Sequence, residues 1–319
     1  MVRDVDILFV YSRETPQSPV KPLVDFEAIQ FGISYISAFL KRHGHTTRLL
    51  VITRRDDFSM IDRCLADYSP GVVAFTAVAS EYAFVEKVAA HIASSYPRGY
   101  LILGGVHASL APNEQMLRTF HALCIGEGEW PTLELVNELE AGRSPSGIRS
   151  LWIRTAEGVE RNPTRPLIER LDELPNPDRS MWEEWIDLPR SPKRPSLLLG
   201  RGCPYNCSYC CNHALAQLAD GKYVRMRSPE NVLGEMQEVL ARFPEVRGFY
   251  FEVETFGADI ASSLRLWAAL EALNASRPQP LGFSVNLRVT PGSIKHLDEL
   301  FTAMKRSNFE AVNIGLESG

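Results

Sequence analysis

Residues 197–213 read Leu-Leu-Leu-Gly-Arg-Gly-Cys-Pro-Tyr-Asn-Cys-Ser-Tyr-Cys-Cys-Asn-His. The apolar run ends at Gly200 as a short strand, and the cysteines follow on a loop. Cys203, Cys207 and Cys210 are spaced as Cys-x3-Cys-x2-Cys. A cubane four-iron cluster accepts four thiolates, so three leave one iron open to a ligand from outside the chain. A second reading stands beside it. Cys203, Cys207, Cys210 and His213 supply the four ligands of a tetrahedral zinc site, with Cys211 as an alternative thiol. The chain has six cysteines, and four of them fall within residues 203–211. Such clustering in a chain without a secretion signal speaks for metal rather than disulfides. Cys64 and Cys124 stand in apolar surroundings and read as buried structural thiols.

Downstream of the loop, strand and helix patterns alternate. Ser228-Pro229-Glu230 is a helix start, with a capping serine and proline at the first helical position. Strands are expected over 248–255, 281–288 and 311–317, with helices over 259–276 and 293–307 between them. Side chains alternate across a strand. Phe249, Phe251 and Val253 therefore oppose Tyr250, Glu252 and Glu254. Phe283, Val285 and Leu287 oppose Ser284, Asn286 and Arg288. Val312, Ile314 and Leu316 oppose Asn313, Gly315 and Glu317. Each strand has an apolar face for helices and a polar face, which predicts a barrel interior that holds a polar ligand. A packed barrel would fill that interior with branched apolar residues.

Upstream, five strands alternate with five helices over 5–141: strands at 5–11, 47–52, 72–76, 100–103 and 122–125, helices at 31–43, 59–68, 81–95, 112–120 and 129–141. This order predicts a parallel sheet covered on both faces, whose ligands lie beyond the carboxyl ends of its strands. The loops there carry Gly104-Gly105-Val106-His107 and Gly126-Glu127-Gly128-Glu129. Their glycines are either tight turns into helices or a backbone cradle for a flat ligand. Eight prolines between Pro145 and Pro195 break regular structure, apart from a hairpin over 151–164 turning at Ala156-Glu157-Gly158. Trp152, Trp182 and Trp185 read as packing residues.

The Cys-x3-Cys-x2-Cys loop, with Tyr209 before its last cysteine, resembles that of radical S-adenosylmethionine (SAM) enzymes. The N-terminal order, with Gly32-Ile33-Ser34-Tyr35-Ile36 opening the first helix and the two glycine loops, resembles the cobalamin-binding domain attached to many of them. The resemblance implies an α/β protein with a Rossmann-like, flavodoxin-type cobalamin-binding domain over 1–145. A proline-rich connector follows over 146–195. A partial (β/α)6 radical SAM barrel over 196–319 stops after its fourth strand, so further sequence is expected beyond residue 319. It also implies a 4Fe-4S cluster on Cys203, Cys207 and Cys210, with Cys211 pointing away. SAM would bind the open iron and contact Glu254, Asn286, Arg288, Glu317 and Ser318. At Glu254 relatives show paired acids, where this chain has Val253-Glu254. Cobalamin would rest on Thr76, Ser80, Gly104, Gly105, His107, Gly126 and Glu127. No Asp-x-His-x-x-Gly triplet occurs, so no histidine is expected below the cobalt.

By the same resemblance, an electron from an external flavodoxin- or ferredoxin-type donor cleaves SAM. The resulting 5′-deoxyadenosyl radical acts on a small-molecule or natural-product substrate. Methyl transfer to an unactivated carbon is the leading expectation. A non-methylating rearrangement, cyclisation or oxidation, a cobalamin-free radical SAM enzyme, and a zinc-bound interaction module are the alternatives. Net charge is −5 without a basic stripe, which argues against a nucleic-acid partner. No apolar run of about 18 residues spans a membrane, and the N-terminus lacks the apolar core of a secretion signal, so a cytoplasmic protein is expected.

Overall fold

The computed structural model describes residues 6–13, 29–186, 194–256, 260–288 and 294–315, without the side chains of 254–256. The first sheet is built from β1 (Ile7–Ser12), α1 (Phe31–Arg42), β2 (Thr47–Ile52), α2 (Ser59–Tyr68), β3 (Val72–Thr76), α3 (Tyr82–Ser95), β4 (Tyr100–Gly104), α4 (Gly105–Leu110), β5 (Ala122–Cys124) and α5 (Glu129–Glu140). Its five parallel strands run β2-β1-β3-β4-β5, the flavodoxin-type order. Alternation along β1 shows why both faces are covered. Ile7 and Phe9 enter a core with residues of α1 and α5, and Leu8 and Val10 enter one with residues of α2 and α3. α1 starts where Gln30 accepts the Ile33 N–H at 2.8 Å.

Two expectations need correction here. The helix read over 112–120 is absent. A short helix, α4, starts directly at Gly105, and a 3-10 turn covers Glu114–Arg118. Pro112 keeps α4 from running on, and Asn113 caps only the short turn, its Oδ1 accepting the Gln115 N–H at 2.8 Å. The hairpin expected in the connector forms as β6 (Leu151–Thr155) and β7 (Gly158–Arg161). It pairs antiparallel to β5, Leu123 opposite Trp152, so the first sheet has seven strands and runs past residue 145. The stretch that follows is strapped to α1. Asp178 accepts from Lys41 at 2.7 Å, and the Trp182 indole donates to Ser34 at 2.8 Å.

The second sheet comprises β8 (Ser196–Leu198), then β11 (Gly248–Phe256), β12 (Gly282–Leu287) and β13 (Phe309–Ile314), all parallel in the order β8-β11-β12-β13. Between β8 and β11 lie β9 (Gly200–Arg201), α6 (Asn212–Leu215), β10 (Arg225–Met226) and α7 (Pro229–Arg242), and α8 (Ile260–Ala275) and α9 (Leu297–Arg306) follow β11 and β12. Ser228 caps α7 by accepting the Asn231 N–H at 3.1 Å, as its Ser-Pro start predicts. Phe249, Phe251, Phe283 and Val285 are fully buried against the helices, each burial contributing about 2 kcal/mol. Opposite them, Tyr250, Glu252 and Ser284 are half-buried, and Asn286 and its partner Asn313 are exposed. Ile314, expected on the buried face, is 46% exposed because β13 is an edge strand.

Candidate functional site

The cysteine loop is held open at its base by a two-rung ribbon in which Arg201 of β9 pairs Arg225 of β10, and Gly200 pairs Met226. Gly202, at φ +87°, packs so closely that an added Cβ would stand 2.2 Å from the Tyr223 carbonyl oxygen. Only glycine fits there, one residue before Cys203. Cys203, Cys207 and Cys210 are half-buried and Cys211 is exposed. Arg288 and Asn212 offer donors to these sulfurs. Arg288 Nη1 lies 2.7 Å from Cys207 Sγ, and its guanidinium covers the Tyr205 ring at 4.5 Å. Asn212 Nδ2 lies 3.6 Å from Cys210 Sγ.

The zinc arrangement is not formed. Among the described residues, the one set of three His, Cys, Asp or Glu ligand atoms within 4.8 Å of one another is Asp6, His45 and Glu140. That set lies at the amino ends of β1 and β2, away from the cysteine loop. Cys203, Cys207, Cys210, Cys211 and His213 therefore do not gather round a single-ion point. Thiolates on separate corners of a cubane stand farther apart than ligands of one ion, and three half-buried thiols, with N–H donors at Cys207 and Cys210, fit such a cluster.

Beyond the carboxyl ends of β3, β4 and β5 lies a mostly apolar cavity of about 330 Å3. Of the residues expected at cobalamin, Thr76, Gly104, Gly105, Gly126 and Glu127 line it. Gly105, at φ +88°, leaves no room for a side chain, since a Cβ would meet Thr76 Oγ1 at 2.5 Å. It is thus a tight turn and part of the wall at once. Ser80 and His107 are not among the lining residues. The Ser80 carbonyl accepts from Arg54 at 3.0 Å, and the His107 ring packs at a tilt against Tyr82, centroids 4.5 Å apart. The wall also holds Cys124, whose thiol burial pushes up to about 12, so it stays protonated. Tyr35 in the wall is buried, and its hydroxyl has no hydrogen-bond partner among the described residues. A glycine-rimmed, apolar space with an orphaned hydroxyl suits a large flat ligand with polar edges.

The opposite wall comes from the second half of the chain: Arg201, Gly202, Leu215, Leu218, Tyr223 and Arg225. Glu127 fastens the walls together. Its carboxylate accepts from Arg201 at 2.8 Å, from Arg225 at 3.0 Å and from the Ile168 N–H at 2.8 Å. Glu129 accepts from Arg201 at 2.6 Å. Burial pushes the Glu127 carboxyl up, but the Arg201 and Arg225 guanidiniums outweigh it and hold it below its ordinary value. Burial likewise opposes the charge on Arg201, and Glu129 and Glu127 reverse that. The expected contact of Glu127 with cobalamin thus competes with an existing clamp. A second buried cluster, Arg179–Glu235–Arg227, has both ion pairs at 2.5 Å.

Of the residues expected at SAM, Asn286 is exposed on the polar face of β12 and Arg288 reaches into the cysteine loop. Glu254 lies on β11 with its side chain outside the described set, and Glu317 and Ser318 lie outside the described residues. Arg201, Arg225, Asn212 and Tyr223 were not singled out from sequence. Arg201 carried a signal, a lone cation in Gly200-Arg201-Gly202 set against the paired acids of Gly126-Glu127-Gly128-Glu129. Among the described residues, no helix is long and apolar enough to cross a membrane.

Comparison with known proteins agrees with this division. The B12 binding domain model matches residues 22–136, and the Radical SAM superfamily model matches residues 197–319. An uncharacterized methyltransferase of Pyrococcus horikoshii is 29% identical over 228 residues, covering 69% of this chain and 48% of that protein. The anaerobic magnesium-protoporphyrin IX monomethyl ester cyclase of Rubrivivax gelatinosus is 25% identical over 298 residues, covering 90% of this chain and 51% of that protein. The chain thus spans about half the length of the curated relatives it matches. In fold it is similar to the radical SAM methyltransferase TsrM from Kitasatospora setae (TM-score 0.71, 19% identity, 97% of this chain and 59% of that one). It is also similar to the cobalamin-dependent SAM radical enzyme OxsB (TM-score 0.75, 16% identity, 99% and 44%). The first model covers β2 to β5 of the first sheet and the second covers the second sheet from Leu197 on, and the chain therefore joins a B12 binding domain to a domain of the radical SAM superfamily.

Proposed function

We propose that this chain carries the two-cofactor centre of a cobalamin-dependent radical SAM enzyme that methylates an unactivated carbon of a small-molecule or natural-product substrate. One observation carries this reading: a single cavity is walled on one side by the glycine loops of the B12 binding domain and on the other by the residues that flank the cysteine loop. The bound groups supply a transferable methyl group and, from SAM and one electron of an external flavodoxin- or ferredoxin-type donor, a 5′-deoxyadenosyl radical. Thr76, Gly104, Gly105 and Gly126 hold the cobalamin, with no histidine beneath it. Cys203, Cys207 and Cys210 hold the cluster. The polar face carrying Glu254, Asn286 and Arg288, extended by Glu317 and Ser318, takes SAM. The apolar wall excludes water from the reacting centre.

The test uses anaerobically purified protein mixed with hydroxocobalamin, desalted and reduced. Retained cobalamin whose paramagnetic resonance spectrum lacks nitrogen splitting is the expected result. No retention by a folded, iron-loaded sample would overturn the methyl-transfer reading. The cyclase relative, which matches 90% of the chain, favours a second reading: a ring-forming or oxidative reaction with the same cofactors. With SAM, reductant and a substrate extract, methyl transfer yields 5′-deoxyadenosine and S-adenosylhomocysteine together, and the second reaction yields 5′-deoxyadenosine alone.

A further inference from the structure

We infer that Asn212, which points an amide N–H at the sulfur of Cys210, and Tyr223, which orients that amide, are positioning residues that link the occupancy of the inter-domain cavity to the reduction potential of the cluster. The inference rests on the reading that Cys210 is a cluster ligand.

Three observations meet at this pair. Asn212 is buried, and its Nδ2 points at Cys210 Sγ over 3.6 Å. Its Oδ1 accepts the Tyr223 hydroxyl at 2.6 Å. Tyr223 itself lines the cavity. A continuous chain of polar contacts therefore runs from the cavity wall to a cysteine sulfur.

The direction of the amide follows from its partners. A tyrosine hydroxyl donates to the amide oxygen, which turns the two N–H donors towards Cys210. A thiolate ligand accepts hydrogen bonds. The flipped amide would set oxygen lone pairs against sulfur lone pairs, so only one orientation suits a ligated sulfur.

Tyr223 has little freedom to leave this position. Its carbonyl packs on Gly202 closely enough to exclude a side chain there. Two residues on, Arg225 is paired to Arg201 in the β9–β10 ribbon and held by Glu127. The ring is thus fixed between the B12-side clamp and the cysteine loop.

Reduction adds negative charge to a cluster, and N–H donors to its sulfurs stabilise the reduced form and raise the potential. A ligand filling the cavity excludes water from Tyr223. That lowers the local dielectric and strengthens the Tyr223–Asn212–Cys210 chain. The cluster is therefore easier to reduce when the cavity is filled.

The test is a redox titration of the reconstituted cluster, read by paramagnetic resonance, in full-length protein with and without hydroxocobalamin. Asn212→Leu shifts the midpoint to more negative potential at unchanged iron and sulfide content. Tyr223→Phe, which removes one oxygen atom, shifts it less, in the same direction, and abolishes the positive shift that cobalamin causes in the wild type. Iron-loaded wild type, N212L and Y223F with coincident midpoints would overturn the pair while leaving the cluster assignment standing. Wild type that takes up no iron or sulfide would overturn both.

Discussion

Glu127 and Arg201 stand 2.8 Å apart across 74 residues of sequence, one in a glycine loop of the B12 binding domain and the other two residues before Cys203. Arg225 shares the same carboxylate. Removing one partner of a buried ion pair leaves the others charged and unpaired, at a cost of about 3–5 kcal/mol when burial is complete. Glu127 and Arg201 keep some exposure, so about 2 kcal/mol is expected for Glu127→Gln or Arg201→Gln. Denaturant unfolding should show the loss, and the double variant should lose less than the sum of the singles.

The three-cysteine assignment predicts an uneven mutant series. Cys203→Ala, Cys207→Ala and Cys210→Ala each lose the cluster, whereas Cys211→Ala, which removes an exposed thiol, keeps it. Iron and acid-labile sulfide counts on the four proteins check this. Equal loss in all four would sink the assignment.

Arg288 was expected to contact SAM, and in the structure its guanidinium meets Cys207 and Tyr205. A cationic donor suits a sulfur that carries negative charge. Arg288→Leu should therefore slow the uptake of iron and sulfide several-fold, with Arg288→Lys in between because it keeps the charge and loses the planar fork. Time courses of visible absorbance during reconstitution measure it.

His121 gives the first sheet a pH dependence. Its Nδ1 accepts the Leu101 N–H at 2.9 Å, and burial, with Arg154 nearby, lowers its pKa from 6.5 to about 4. Between those values the unfolded chain binds more protons than the folded one, so stability is full above 6.5, falls as pH drops towards 4 and is flat below. With partial exposure screening the effect, on the order of 2 kcal/mol is at stake. His121→Gln, which keeps an acceptor and does not titrate, should flatten the unfolding free energy across that window.

Much of the fold was legible because it depends on local periodicity. The stretches 47–52, 59–68 and 72–76 read from sequence coincide with β2, α2 and β3. α4 was missed because Gly104-Gly105 reads as a loop, yet at φ +88° Gly105 is the residue that lets a helix begin against Thr76. The glycine loops pointed to the cavity, and five of the seven residues expected there line it. His107 and Ser80 do not, since proximity in sequence to a glycine loop does not say which way a side chain turns. Arg201, Arg225 and Tyr223 escaped notice because their partners are distant in sequence, and a pair formed by tertiary folding leaves no periodic trace.

The buried Arg179–Glu235–Arg227 cluster ties the two walls of the cavity together at a distance from it. Arg179 belongs to the strap held on α1, Arg227 to the residues after the β9–β10 ribbon, and Glu235 to α7. Moving the halves apart would take Arg179 from both the Glu235 carboxylate and the Ser196 carbonyl while Arg227 kept Glu235, leaving a charge without its partner. The triad therefore acts as a latch: widening the cavity by moving its two walls apart carries an electrostatic cost that a shift of side chains within either wall does not.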